Sequence, residues 1–167
     1  DNAAKIYPAA KRRNWNNFFR ISATLTESID TGVLASALDV TARRFPSICV
    51  RLRRGLFWYY LEQIPAAPPI LPEKSYPLVH MPFDDIRRCA FRVLVYKNRV
   101  AVEFFHALTD GTGALVFVKT LLAEYLSEKY GLSVPAEKGV LGRLEEPSPE
   151  ELEDSFLKYA GTVSASR

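Results

Sequence analysis

Cysteine is scarce in this sequence: only Cys49 and Cys89 occur, apart from one another and inside apolar runs. Neither belongs to a CxxC pair, so the spacing of zinc ribbons and redox motifs is absent and no metal is expected. Histidine is equally rare, limited to His80 and His106. No apolar run approaches the roughly 20 residues that a helix needs to cross a bilayer, so no membrane span is expected. Charge of one sign is also lacking. Lys and Arg total 22 against 19 Asp and Glu, a net +3. With neither zinc spacing nor an RRM signature, this mild excess gives no support for nucleic-acid binding. The cysteines look like buried thiols and no signal-peptide pattern is read, so a reducing cytoplasm is the expected location.

What is present is an ordinary globular composition. Of 167 residues, 48% are apolar and 25% charged, enough for one domain with a true core. Residues 1–17 read as a polar, extended lead-in. Phe18 to Thr26 mixes aromatic and β-branched residues and predicts a strand with Phe19, Ile21, Ala23 and Leu25 on one face. Asp30 or Thr31 is a suitable N-cap for a helix carrying Val33, Leu34, Ala37, Leu38 and Ala42, which ends before Pro46. Ile48 to Arg53 and Phe57 to Ile64 form a predicted hairpin turning at Arg54-Gly55. The arginines of its first arm read as a wet face, and Phe57-Trp58-Tyr59-Tyr60 as core and sheet packing.

A proline-rich connector, Pro65 to Pro72, leads into an irregular stretch reaching about Asp85, within which Asp84-Asp85 reads as a turn or helix cap. A second hairpin follows, Ile86 to Tyr96 and Arg99 to Phe105, turning at Lys97-Asn98 on the left-handed tolerance of asparagine. The pair Phe104-Phe105 breaks the alternation and predicts burial on both faces at the strand end. Gly113 to Tyr130 is the clearest helix, with Leu115, Val118, Leu122 and Leu126 along one side and Gly131 as its C-terminal cap. The order predicts an α+β fold: a two-layer sandwich of a largely antiparallel or mixed sheet, with helices mainly on one face. Residues 131–167 read as a loop, a short acidic helix near Glu150 and a linker toward a further domain.

The chemistry-bearing motif is His106-Ala107-Leu108-Thr109-Asp110-Gly111. A histidine at a strand terminus projects into a cleft while the sheet holds its backbone, and histidine serves as a base near neutral pH. Asp110 is placed to fix the loop, and Gly111 and Gly113 to let the chain turn into the helix. Three fixed positions coincide by chance on the order of once in a hundred such chains, at average residue frequencies. The strand before and helix after make coincidence rarer. Thr109 and Thr112 lack the elbow setting of a serine-hydrolase nucleophile, and His80, in the irregular stretch, is assigned no role.

These residues resemble the HxxxDG signature of the chloramphenicol acetyltransferase-like superfamily, which includes alcohol O-acetyltransferases, lipid acyltransferases and the condensation domains of nonribosomal peptide synthetases. The element order over residues 18–130 is similar to the N-terminal half of that fold. Tyr7-Pro8 and Phe19-Arg20 are more weakly similar to the bacterial alcohol acetyltransferases. The resemblance implies that residues 1–130 are an N-terminal acyltransferase-like domain. It implies His106 as general base, activating a small hydroxyl acceptor against the thioester of acyl-CoA or acetyl-CoA, a co-substrate in place of any permanently bound cofactor. Which residues would bind CoA stays open. The resemblance also implies that Asp110 is structural and pairs with an arginine, Arg20 first and Arg92 second.

The sequence departs from the family pattern at Phe105, where condensation domains carry a second histidine, and it lacks the DFGWG motif of the plant branch. The family's active site is a tunnel between two lobes, so this half alone is expected to be inactive until a C-terminal domain or a second chain completes it. Two alternatives stand: a condensation-like or lipid acyltransferase with a carrier-bound donor, and a non-catalytic binding or assembly module of the same fold.

Overall fold

The computed structural model describes residues 18–57, 59–74 and 76–143. In chain order the elements are β1 (Phe18–Thr24), α1 (Thr31–Arg44), β2 (Val50–Arg54), β3 (Tyr59–Gln63), β4 (Ile70–Pro72), α2 (Phe83–Ile86), β5 (Phe91–Tyr96), β6 (Arg99–Phe105) and α3 (Gly111–Tyr130). A four-stranded sheet has the order β1-β6-β5-β4, and β2-β3 form a separate two-stranded sheet. β6 is antiparallel to both neighbours, whereas β4 runs parallel to β5. The architecture is the expected α+β sandwich with a mixed sheet. The predicted acidic helix near Glu150 lies outside the described residues.

One face of the large sheet carries the core. β1 presents Phe19 and Ile21, β5 presents Phe91 and Val93, and β6 presents Val100, Val102 and Phe104 to α1 and α3. Phe117 of α3 is the hub: its ring centroid lies 5.1 Å from that of Phe45, 5.5 Å from Phe91 and 5.6 Å from Phe104, all edge-on. Such pairs contribute about 0.5–1.5 kcal/mol each beyond the area they bury. The buried stripe of α3 is Ala114, Phe117, Val118, Leu121 and Tyr125. Leu115, expected to face inward, is 44% exposed, because the side of the helix packed into the core is the one that carries Phe117, Leu121 and Tyr125. Asp30 caps α1 as expected, accepting from the backbone N–H of Gly32 and Val33 at 2.9 and 3.1 Å. Gly131 ends α3 in left-handed geometry at φ 64°.

Phe105 points the other way from Phe104, into a second cluster with Leu52, Met81, Ile86 and Ala90. The doubled phenylalanine is therefore buried on both faces, as the broken alternation predicts. This cluster joins the small hairpin to the large sheet, aided by Ala90 N–H to Val50 O at 2.9 Å and Phe105 N–H to Ala90 O at 2.9 Å. Cys49 and Cys89 lie buried in the main core. Burial pushes their thiols up to about 12 and about 11, with Cys89 adding to the rise at Cys49.

Several expectations are corrected. The connector hides β4, whose Ile70 to Pro72 pair with Val93 to Val95; Pro72 is tolerated on an edge strand. β5 begins at Phe91 rather than Ile86, since Phe83–Ile86 form the helical turn α2 with Asp84 and Asp85 at its start. In the β5–β6 turn the left-handed residue is Lys97, at φ 52°. Asn98 instead donates its side-chain amide to Leu25 O at 2.7 Å. Phe57 is 84% exposed at the small hairpin's tip, not packed in the core.

The second face of the large sheet is polar. Glu103, in the middle of β6, is 1% exposed. It accepts from Arg20 Nη1 at 3.1 Å, Arg92 Nε at 2.7 Å and the backbone N–H of Leu78 at 2.9 Å. Glu73 meets Arg20 Nη2 at 2.7 Å and Arg99 Nη2 at 2.9 Å. Burial pushes the Glu73 carboxyl upward, but the hydrogen bonds and charges of Arg99 and Arg20 outweigh it and hold it below its ordinary 4.5. That preference for the charged form favours folding above the ordinary value and fades as pH falls through the lowered one. Denaturant unfolding between about pH 6 and pH 3, the span of ordinary carboxylate titration, is expected to lose stability toward acid in the parent. Glu73→Gln is expected to be less stable at the upper end and flatter across the range.

Candidate functional site

His106 directly follows the last residue of β6. Strand alternation turns Phe105 into the second cluster and leaves the imidazole at the sheet's rim, exposed. Its ring lies beside that of Phe19, centroids 5.0 Å apart and planes tilted by 57°. Phe19 is itself stacked on Phe104 at 5.5 Å. One flank of the imidazole is thus set by aromatic packing continuous with the core, and the other is open. A ring held at its base and open at its edge is the arrangement that proton transfer to an incoming molecule requires.

The loop behind the histidine is tied at both ends. Leu108 N–H donates to Phe105 O at 2.9 Å, closing a turn directly after the strand. Asp110 is the N-cap of α3: its Oδ1 accepts from Gly113 N–H at 2.8 Å and its carbonyl from Ala114 N–H at 3.1 Å. A charged cap satisfies an orphan donor and complements the positive end of the helix dipole. Asp110 thereby fixes where the long helix starts, which sets the length and course of the loop from His106.

The expected Arg20–Asp110 pair is not formed. β1 and β6 are in register with Arg20 opposite Glu103, so Arg20 lies on the polar face, committed to Glu103 and Glu73. Arg92 is likewise held, by Glu103 and by Val79 O at 2.6 Å. Among the described residues no arginine is paired with Asp110; its partner is a backbone amide.

The two glycines differ from expectation as well, since neither lies at positive φ. A side chain at Gly113 would meet Thr109 Oγ1 at 2.2 Å, so any larger residue there forces the Thr109 side chain to shift. A side chain at Gly111 would meet nothing within 4 Å. Gly111 is therefore not required by the contacts of this lobe.

Glu103, Glu73 and Arg99 were not marked in the sequence, and Arg20 and Arg92 were marked for a different partner, Asp110. One signal was present: Glu103 is the single acid within the otherwise apolar run Val100 to Phe105, and an acid at such a position needs cations around it. Among the described residues no group of three or more His, Cys, Asp and Glu is placed to hold a metal ion. No helix among them is long and apolar enough to cross a membrane.

The fold is shared with known structures. A starter condensation domain of rhizomide synthetase RzmA superposes with a TM-score of 0.62 at 15% identity, over 98% of this chain and 43% of that one. The X-domain from teicoplanin biosynthesis gives 0.60 at 14% identity, over 98% and 39%. The X-domain in its complex with OxyB gives 0.58 at 14% identity, over 84% and 35%. No family model and no curated protein matches the sequence. The chain has the fold of part of the condensation-domain, chloramphenicol acetyltransferase-like architecture. It spans roughly two fifths of the length of these structures, a share that fits the N-terminal-half expectation.

The contacts of the two glycines predict opposite responses. Gly111→Ala is expected to keep or raise stability by up to about 1 kcal/mol, the gain of alanine over glycine in a helix. Gly113→Ala is expected to lose about 1–3 kcal/mol through overpacking against Thr109. Urea unfolding of the two variants checks the difference.

Proposed function

We propose that this chain supplies the histidine-bearing lobe of an acyl-transfer domain of the condensation type. In this reading, His106 is the general base and a thioester on a carrier protein is the acyl donor. The observation that carries it is the exposed imidazole at the end of β6, followed by a loop tied to the capped start of α3. The carrier-bound donor takes precedence over the free acyl-CoA first expected, because the fold neighbours include condensation domains.

In this reading an acceptor hydroxyl approaches the open edge of His106. The imidazole takes its proton as the oxygen bonds to the thioester carbonyl carbon. The tetrahedral intermediate then collapses, the C–S bond breaks, and the imidazolium returns the proton to the leaving thiolate. The acyl group never becomes attached to the protein. A hydroxyl acceptor is preferred to an amine because Phe105, buried in the second cluster, stands where the adjacent histidine of condensation domains would be. The rest of the tunnel, including donors to the developing oxyanion, belongs to a facing lobe from the same or another chain. The open space around Gly111 leaves room for that lobe or for substrate.

A second reading has its own support: one similar structure is an X-domain in complex with OxyB, so this fold also serves as a docking partner. The two readings separate in one assay on the intact protein. Acyl transfer is measured from a carrier-bound thioester and from acyl-CoA, with His106→Ala as comparison. The enzymatic reading expects transfer from the carrier thioester and a loss of about 10²–10⁴-fold on substitution, the usual worth of base catalysis, with unchanged melting. Preference for acyl-CoA returns the donor to the first expectation. Turnover equal in both proteins removes His106 as base, and no turnover from either donor favours the docking module.

A further inference from the structure

We propose that Glu103 is a positioning residue for His106, acting through the connector Tyr76–Met81 that it pins across the polar face of the sheet. The proposal deepens the reading of His106 as a base and rests on it for its functional half alone.

Short of its last residue, Met81, the connector has little apolar reason to stay where it is. Tyr76 is 77% exposed and Leu78 is 38% exposed. It is held by polar anchors instead. Leu78 N–H reaches Glu103 Oε1 at 2.9 Å, and Val79 O receives Arg92 Nη2 at 2.6 Å, with Arg92 Nε on the other Glu103 oxygen at 2.7 Å. Leu78 lies at φ 58°, the left-handed region that a leucine rarely adopts. Strain of this kind persists only where surrounding contacts impose it, and the amide aimed at a buried carboxylate is such a contact.

The connector ends in Met81, 3% exposed, in the same cluster as Phe105. Phe105 is joined by one peptide bond to His106. Glu103 therefore bears on the imidazole along two routes. One is the strand itself, three residues long. The other is the pinned connector, which seats Met81 in the cluster that fixes Phe105. Releasing the connector unseats Met81, loosens Phe105 and frees the end of β6 to shift the ring against Phe19.

The sequence offers a convenient probe, because its two histidines sit at the two ends of this linkage: His80 on the connector and His106 at the site. The experiment records both imidazole signals by NMR and the exchange of the Leu78 amide, in the parent and in Glu103→Gln. The expected result is Leu78 exchange faster by about tenfold or more, as for local opening. Both imidazole signals shift, and the amides of α3 keep their protection. Unchanged Leu78 exchange overturns the proposal, as does a shift at His80 with none at His106.

Where Glu103→Gln loses α3 protection as well, the same criteria are applied to Arg92→Lys. That variant keeps a cation beside Glu103 and gives up the Val79 anchor. In the intact protein Glu103→Gln is further expected to lower kcat, by up to about a hundredfold for a misplaced catalytic group, with KM unchanged. Full turnover in His106→Ala would remove the base while leaving the linkage to be judged on the resonance and exchange results.

Discussion

A carboxylate buried in the middle of a sheet needs compensation from every side, and Glu103 receives it from elements distant in sequence. Arg20 comes from β1, Arg92 from β5 and the Leu78 amide from the connector. Two of these are the strands flanking β6. The carboxylate thus fixes the mutual register of the three strands that end at the site. Breaking a buried pair by removing one partner typically costs about 3–5 kcal/mol, because the partner's charge is stranded. An apolar residue at 103 would leave two guanidinium groups to be resolvated, so the network behaves as a unit.

The two faces of β6 divide the labour. Val100, Val102 and Phe104 anchor the strand to α1 and α3, while Glu103 and Phe105 anchor it to the connector and the small hairpin. A strand fixed from both sides is a stiff mount, and His106 is the first residue beyond it. The aromatic contact with Phe19 continues that stiffness to the ring. On the far side of the loop, Asp110 starts α3 at a defined residue. Position at this site therefore comes from packing and backbone hydrogen bonds, and the polar atoms of the imidazole remain available.

Local signals made much of this legible. Periodicity and capping residues located β1, α1, both hairpins and α3, because these elements are long enough to repeat their pattern and carry Asp30, Asp110 and Gly131 at their ends. The three-residue β4 escaped, since a strand of that length containing a proline has no period to detect. The side of α3 that is buried depended on how Phe117, Leu121 and Tyr125 fit the core, which spacing alone does not decide. The motif His106, Asp110 and Gly111 was readable as a unit, but its support was not. Arg20 was expected at Asp110, whereas strand alternation already placed it on the face opposite Phe19. One partner of Arg20, Glu103, lies 83 residues away, a separation over which sequence pattern carries no direct signal.

The two cysteines lend the molecule an internal clock. Their thiols are buried and titrate near 12 and 11, so in the closed protein they are almost wholly unionised at neutral pH and out of reach of reagents. A thiol-directed label can react only when the main core parts, close to where the small hairpin meets the large sheet. Its rate of incorporation therefore times the breathing of that junction. A cysteine introduced on the surface would take up label without competition from either native thiol.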